Sequence, residues 1–143
     1  MRVIPDLSFD NVPHLYVLVV PGGKGAREKM RSPKMLNFVL NHSRKCKLVA
    51  SVCTGALILA AAGLLSGKRS TTHRAAMDEL KRFEQIKVKR ERYVHDGKVI
   101  TSAGISGGID MALYVTQFLF GEEMRNAVAK RLEHYASSEN PAG

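Results

Sequence analysis

Cysteine is scarce in this sequence: only Cys46 and Cys53 occur among its 143 residues. Two cysteines are too few for a disulfide scaffold, and their separation does not match the CxxC spacing of metal and redox sites. This usage fits a reducing compartment, and we expect a cytoplasmic protein. No cofactor motif is present either, so we expect no metal and no cofactor.

The sequence also lacks a long apolar run. Its longest apolar stretch, residues 56–65, is far shorter than the about 18 residues that a membrane span requires. The first ten residues include Arg2, Pro5, Asp6 and Asp10, so they contain no apolar segment of a secretory signal. We therefore expect no membrane association.

Acidic residues are too few to balance the basic ones. The 22 Lys and Arg residues against 13 Asp and Glu residues give a formal net charge of +9. Such an excess can indicate nucleic-acid binding, but the basic residues are scattered, apart from a mild cluster in residues 81–92, and no helix-turn-helix or zinc-finger pattern is present. We expect a solvated basic face that can attract anionic ligands, and no specific nucleic-acid binding.

Continuous aliphatic runs at 15–20 and 47–52 are typical of strands buried on both faces of a parallel sheet. Strands alternate with helices along the chain, which predicts a single α/β domain over 1–143 with a mostly parallel sheet and helices on both faces. A hairpin is predicted at Asp96-Gly97, a loop at 104–108 and a loose tail at 137–143. Further strands are predicted at 69–72, 86–88, 92–94 and 99–102, and helices from Ser32-Pro33 onward and at 54–64, 75–83, 109–119 and 122–135.

The stretch Ala50-Ser-Val-Cys-Thr-Gly-Ala56 places Cys53 between a buried strand and a helix. This arrangement predicts a sharp turn that presents the sulfur at the carboxyl edge of the sheet, like a nucleophile elbow. The N–H groups at the start of the helix favour the thiolate and can stabilise an oxyanion beside it. The hydroxyl of Thr54 has two possible roles here: binding substrate or water, or capping its own helix.

The loop Pro21-Gly22-Gly23 follows the neighbouring strand. Because glycine has no Cβ, the backbone of this loop can approach a ligand closely and supply a second N–H donor. Ligands of open α/β sheets bind at this carboxyl edge. The alternative is that both loops are simply tight turns.

Four motifs in order resemble the PfpI/ThiJ superfamily, whose fold is that of class I glutamine amidotransferase domains. They are Val19-Val-Pro-Gly-Gly23, the segment from Ser51 to Leu65, Thr71-Thr-His73 and the segment from Thr101 to Leu113. Isonitrile hydratases and the sensor domains of AraC-type regulators are the most similar subgroups. The resemblance implies a flavodoxin-like α/β fold in which Cys53 is the reactive residue. The N–H groups of Gly23 and Thr54 are expected to stabilise an oxyanion, and Gly22 is expected to bind the oxyanion or substrate with them.

The resemblance also assigns roles around the cysteine. It implies that His73 lies close to Cys53. An imidazole there can hydrogen-bond Cys53 or a water and act as a general base, although a histidine that caps the end of a strand is the other interpretation. The subgroup usually has tryptophan where this sequence has Arg74. Gly104 and Ser106 are predicted to bind substrate, whereas Asp110 is expected to cap a helix.

Relative to the superfamily, this sequence lacks the first strand and helix and the acidic residue that hydrogen-bonds the cysteine. Three explanations follow: the chain is a fragment, a partner completes the sheet, or the protein is a shortened form with altered chemistry. We expect a cysteine-dependent hydratase or hydrolase resembling isonitrile hydratase, acting on a small-molecule substrate as a homodimer. The alternatives are a ligand-sensing domain of the AraC-regulator type and a redox-stress protein.

Overall fold

The computed structural model describes residues 3–134, and its main sheet holds four strands. The strands of the chain are β1 (Val17–Val20), β2 (Leu48–Val52), β3 (Arg69–Ser70), β4 (Lys87–Val88), β5 (Tyr93–Asp96) and β6 (Val99–Ser102). In the main sheet the order is β1-β2-β6-β5; β1, β2 and β6 are parallel, and β5 is antiparallel to β6. Strands β3 and β4 form a separate parallel pair.

Helices cover both faces of the main sheet, as predicted. They are α1 (Ala26–Lys29), α2 (Pro33–Lys45), α3 (Gly55–Ala61), α4 (Met77–Lys81), α5 (Ile105–Phe120) and α6 (Glu122–Arg131), with a short 3₁₀ turn at Arg74–Ala76. None of the helices in residues 3–134 is both long and apolar enough to cross a membrane.

Each face of the sheet has its own core because side chains alternate along a strand. Leu18 and Val49 belong to the larger core, which contains the five buried residues 56–60 of α3. Leu48, Ala50 and Ile100 point to the other face and pack against α5. Strand β2 is therefore buried on both sides, and its carboxyl end lies where α3 begins.

The glycine-rich segment 104–108 was predicted as a loop, but all of it except Gly104 belongs to the first turn of α5. The reason is close packing. A Cβ on Gly107 would lie 2.7 Å from the carbonyl oxygen of Arg92, and one on Gly108 would lie 3.0 Å from a methyl group of Val52. These glycines let the helix start directly against β2 and the segment that precedes β5.

Asp110 does not cap a helix, contrary to the prediction, because it lies in the second turn of α5. Its carboxylate, 15% exposed, pairs with Arg92 and, at 2.9 Å, with Nε2 of His134. Burial alone would raise the pKa of this carboxyl, but the hydrogen bonds from His134 and Arg92 outweigh it and the pKa is lowered. The three side chains tie the start of α5 to the end of α6.

This pairing predicts a pH-dependent stability difference between the protein and its Asp110→Asn variant. Because folding lowers the carboxyl pKa, the stabilisation is present above the unfolded pKa of about 4 and disappears as the pH falls through the folded value. Asp110→Asn should cost about 1 kcal/mol at pH 7. Urea unfolding at pH 7 and at pH 3 measures this, and an equal deficit at both pH values would contradict it.

The remaining differences from the predicted elements concern boundaries. The short helix α1 was not predicted, and most strands are one or more residues shorter than expected. The hairpin at Asp96-Gly97 is confirmed, since it joins β5 to β6 and Gly97 has a φ of 64°. The last helix was predicted to reach position 135, but it ends at Arg131 with Leu132 as its C-cap. The predicted loose tail at 137–143 lies outside the described residues.

Candidate functional site

Cys53 occupies the turn between β2 and α3 with a φ of 57°. Among residues 3–134, Glu133 is the only other non-glycine residue with a positive φ. This conformation costs roughly 1–2 kcal/mol for a residue with a Cβ, and it is maintained by the neighbouring backbone: the N–H of Cys53 donates to the carbonyl of Ser102 at 3.1 Å. The cysteine is half-buried. The predicted elbow is therefore present, and its strain is concentrated at the cysteine.

The hydroxyl of Thr54 is hydrogen-bonded to the loop Pro21-Gly22-Gly23 and not to its own helix. It accepts a hydrogen bond from the N–H of Gly23 at 2.9 Å and lies 3.2 Å from the Gly23 carbonyl, to which it donates. It makes no side-chain cap on α3. The expectation that the Gly23 N–H is available to an oxyanion is therefore wrong in this arrangement, because that N–H is already used to hold the glycine loop against the elbow.

Gly22 brings the loop into contact with the N–H of Thr54. A Cβ at Gly22 would lie 2.6 Å from the Thr54 nitrogen, so a larger residue cannot occupy this position without a shift. Within residues 3–134 the Thr54 N–H has no hydrogen-bond partner. It is thus an available donor in the residue that follows Cys53, at the start of α3, where the helix contributes a partial positive charge.

His73 caps the 3₁₀ turn that follows β3: its Nδ1 accepts a hydrogen bond from the N–H of Ala75 at 3.2 Å. A neutral imidazole whose Nδ1 accepts must carry its proton on Nε2. No hydrogen bond joins His73 to Cys53 in the described part of the chain. The geometry therefore favours His73 as a hydrogen-bond donor through Nε2, rather than as the expected general base.

Gly104 lies beside the ring of His73, whereas Ser106 does not join the site. A Cβ at Gly104 would be 3.5 Å from Cδ2 and 4.0 Å from Nε2 of His73. Ser106 is exposed on the first turn of α5, and its hydroxyl makes no hydrogen bond within the described part of the chain. No cluster of metal-ligating side chains occurs within residues 3–134.

Thr72 supports the elbow, and the sequence analysis assigned it no role. Its hydroxyl donates to the carbonyl of Cys53 at 2.9 Å, and the residue is fully buried. It links the end of β3 to the elbow and brings the following residue, His73, to the same edge of the sheet. A threonine directly before the histidine, after a short strand, is the signal that identifies such a support.

Comparison with known proteins identifies the family of this chain. The family model for the DJ-1/PfpI family matches residues 1–117. The chain belongs to the DJ-1/PfpI family. A ThiJ/PfpI family protein from Pseudomonas syringae superposes with a TM-score of 0.87 at 30% identity, over 100% of this chain and 58% of that one.

Two curated DJ-1/PfpI relatives differ in what their names describe. The isonitrile hydratase of Pseudomonas putida is 42% identical over 94% of this chain and 58% of its own length. The HTH-type transcriptional regulator GbdR of Pseudomonas aeruginosa is 29% identical over 91% of this chain and 35% of its own length. The chain thus spans between about a third and three fifths of these relatives.

The two cysteines should react very differently with a small alkylating agent. Cys46 is 3% exposed and its Sγ contacts the Ser43 carbonyl at 3.7 Å, whereas Cys53 is half-buried at the elbow. Iodoacetamide should modify one thiol per folded chain and two per chain in denaturant. Peptide mass mapping should place the single modification on Cys53, and alkylation of Cys46 in the folded protein at a similar rate would contradict the described burial.

Proposed function

We propose that this DJ-1/PfpI chain is a cysteine-dependent hydratase that adds water to a small isonitrile and yields an N-substituted formamide. The observation that carries the proposal is the strained elbow of Cys53, whose next residue along the chain, Thr54, has an N–H without a partner among residues 3–134. A nucleophile at the start of a helix next to a free backbone donor suits addition to an electrophilic carbon. The 42% identity to an isonitrile hydratase supports this substrate class.

The proposed reaction begins when the Cys53 thiolate forms a C–S bond to the terminal isonitrile carbon. That carbon takes a proton from a water molecule hydrogen-bonded to the Nε2–H of His73, which gives a thioimidate and a hydroxide ion. The hydroxide adds to the same carbon and its proton moves to the nitrogen, which leaves a negative charge on the new oxygen that the N–H of Thr54 stabilises. The C–S bond breaks and its electron pair returns to sulfur as the oxygen forms the C=O bond of the formamide, which leaves.

A ligand-sensing role is the second candidate. Two observations favour it: in residues 3–134 no side chain hydrogen-bonds Sγ of Cys53, and Nδ1 of His73 is occupied by the N–H of Ala75. No side chain of the described residues then activates the Cys53 sulfur through a direct hydrogen bond. The similarity to a transcriptional regulator is consistent with a domain that binds a small molecule at this edge without converting it.

Turnover in ¹⁸O-labelled water separates the two functions. The purified chain is incubated with a neutral alkyl isonitrile, and the formamide is followed by mass spectrometry. Hydration predicts repeated turnovers with the label in the formyl oxygen, and the Cys46→Ala variant should retain it because Cys46 lies in the core, away from the elbow. Saturable isonitrile binding in calorimetry, with less than one turnover per chain, would favour sensing and overturn the hydratase proposal.

A further inference from the structure

A groove of about 270 Å³ lies on the outer side of the 3₁₀ turn and α4. Its wall is formed by residues of the segment 74–81 and by residues 88–90, at the end of β4 and just after it. Most of its rim is cationic, while Met77 and Val88, both half-buried, supply an apolar floor. We call it the basic groove; the residues used below are Arg74, Met77, Lys81, Val88, Lys89 and Arg90.

The basic groove is adjacent to the candidate site. Strand β3 leads into Thr72, whose hydroxyl is 2.9 Å from the carbonyl oxygen of Cys53. Arg74 follows two residues later, within about 7 Å along the chain. Because β4 is parallel to β3, Lys89 and Arg90 leave β4 at the same edge. The chain therefore runs from the Thr72 contact with Cys53 through His73 to Arg74, which lines the groove.

The charge of the basic groove is not neutralised locally. One carboxylate, Asp78, lies in the lining, and it is bound to Lys81 at 2.9 Å. Arg74, Lys89 and Arg90 are exposed and form no ion pair with any residue of the described chain. Three cations without a partner, above an apolar floor, suit a ligand whose alkyl chain ends in an anionic group.

We infer that the basic groove binds the anionic tail of the substrate whose reactive carbon lies at Cys53. This inference rests on the proposed function and adds the substrate class: an isonitrile that carries a carboxylate or a phosphate at the far end of a short alkyl chain. Arg74 is the first contact, since it immediately follows His73. Lys89 and Arg90 extend the positive field along the groove and determine specificity without touching the reacting atoms.

The test compares an ω-isocyano carboxylate of intermediate chain length with its methyl ester, and with the corresponding phosphate. Turnover of the anionic substrates should exceed that of the ester by about tenfold in kcat/KM, which several weak, exposed ion contacts can supply. The triple variant Arg74→Gln/Lys89→Gln/Arg90→Gln should abolish this preference. Its matched control, Arg82→Gln/Lys87→Gln, removes exposed cations that do not line the groove and should keep the preference.

Binding of the same compounds to the Cys53→Ser variant, measured by calorimetry, makes the inference independent of turnover. The groove assignment stands if Cys53→Ser binds the anions about tenfold more tightly than the ester and the triple variant loses this difference. If the wild-type chain also fails to hydrate isonitriles, only the hydratase proposal fails. Equal affinity for ester and anion overturns the inference. The inference is also overturned if a short DNA duplex binds through the same cations and the small anions do not bind.

Discussion

Replacing Cys53 with serine is expected to reduce formamide production by at least about a thousandfold. The hydroxyl of serine is not ionised near neutral pH, so the variant has no nucleophile to form the bond to carbon. The substitution is nearly isosteric and keeps a residue with a Cβ at a φ of 57°. Its unfolding midpoint in urea should therefore stay close to that of the wild-type chain, which identifies the loss as chemical.

A second substitution at the same position tests whether the elbow is strained for function. Glycine adopts positive φ without the clash that a Cβ produces. Cys53→Gly should be inactive and at least as stable as the wild-type chain. The measurements are the rate of formamide release and the free energy of unfolding. For the Cys53→Ser variant described above, retention of more than a tenth of the wild-type activity would contradict the role of the sulfur.

The elbow could be predicted from the sequence because two strong local signals meet there. The aliphatic run of β2 ends at Val52, and a helix of small and aliphatic residues starts at Gly55. Only a tight turn fits between them, so the position of Cys53 follows directly. The mostly parallel sheet and the helices on both faces were predictable for the same reason.

Side-chain partners within the site could not be predicted in this way. The hydroxyl of Thr54 holds Gly23, and the carboxylate of Asp110 binds Arg92 and His134. Each pair joins residues that are distant in the sequence, and several geometries compete at similar cost. Periodicity and capping rules describe only neighbours along the chain. Hydrogen bonds made after the elements pack therefore decide which backbone donors remain available.

Glycine has two meanings in this fold that the sequence does not separate. The glycine-rich pattern predicts a loop at Gly107 and Gly108, yet these glycines allow α5 to pack closely against its neighbours. Gly55 has the same function at the start of α3. A glycine that flanks a strand can therefore mark close packing as readily as a turn, and only the distance to the opposing backbone distinguishes the two.

Replacing Gly55 with alanine should destabilise the protein by about 3 kcal/mol or more. A Cβ at this position would lie 2.2 Å from the carbonyl oxygen of Val20 and 3.0 Å from the backbone of Pro21. These are backbone atoms at the end of β1, so no flexible side chain can move aside. Alanine favours a helix over glycine by about 1 kcal/mol, which is less than the cost of overpacking a site that cannot relax.

Gly25→Ala is the matched control, because a Cβ at Gly25 meets no atom within 4 Å and its φ is −72°. This variant should change the free energy of unfolding by no more than about 0.5 kcal/mol, since the small loss of a glycine N-cap offsets the entropic gain. Urea unfolding of both variants measures the contrast. If Gly55→Ala unfolds within about 0.5 kcal/mol of the control, α3 does not begin against β1 as described. The Thr54 N–H would then not be held beside the glycine loop, and the proposed oxyanion donor would lose its position.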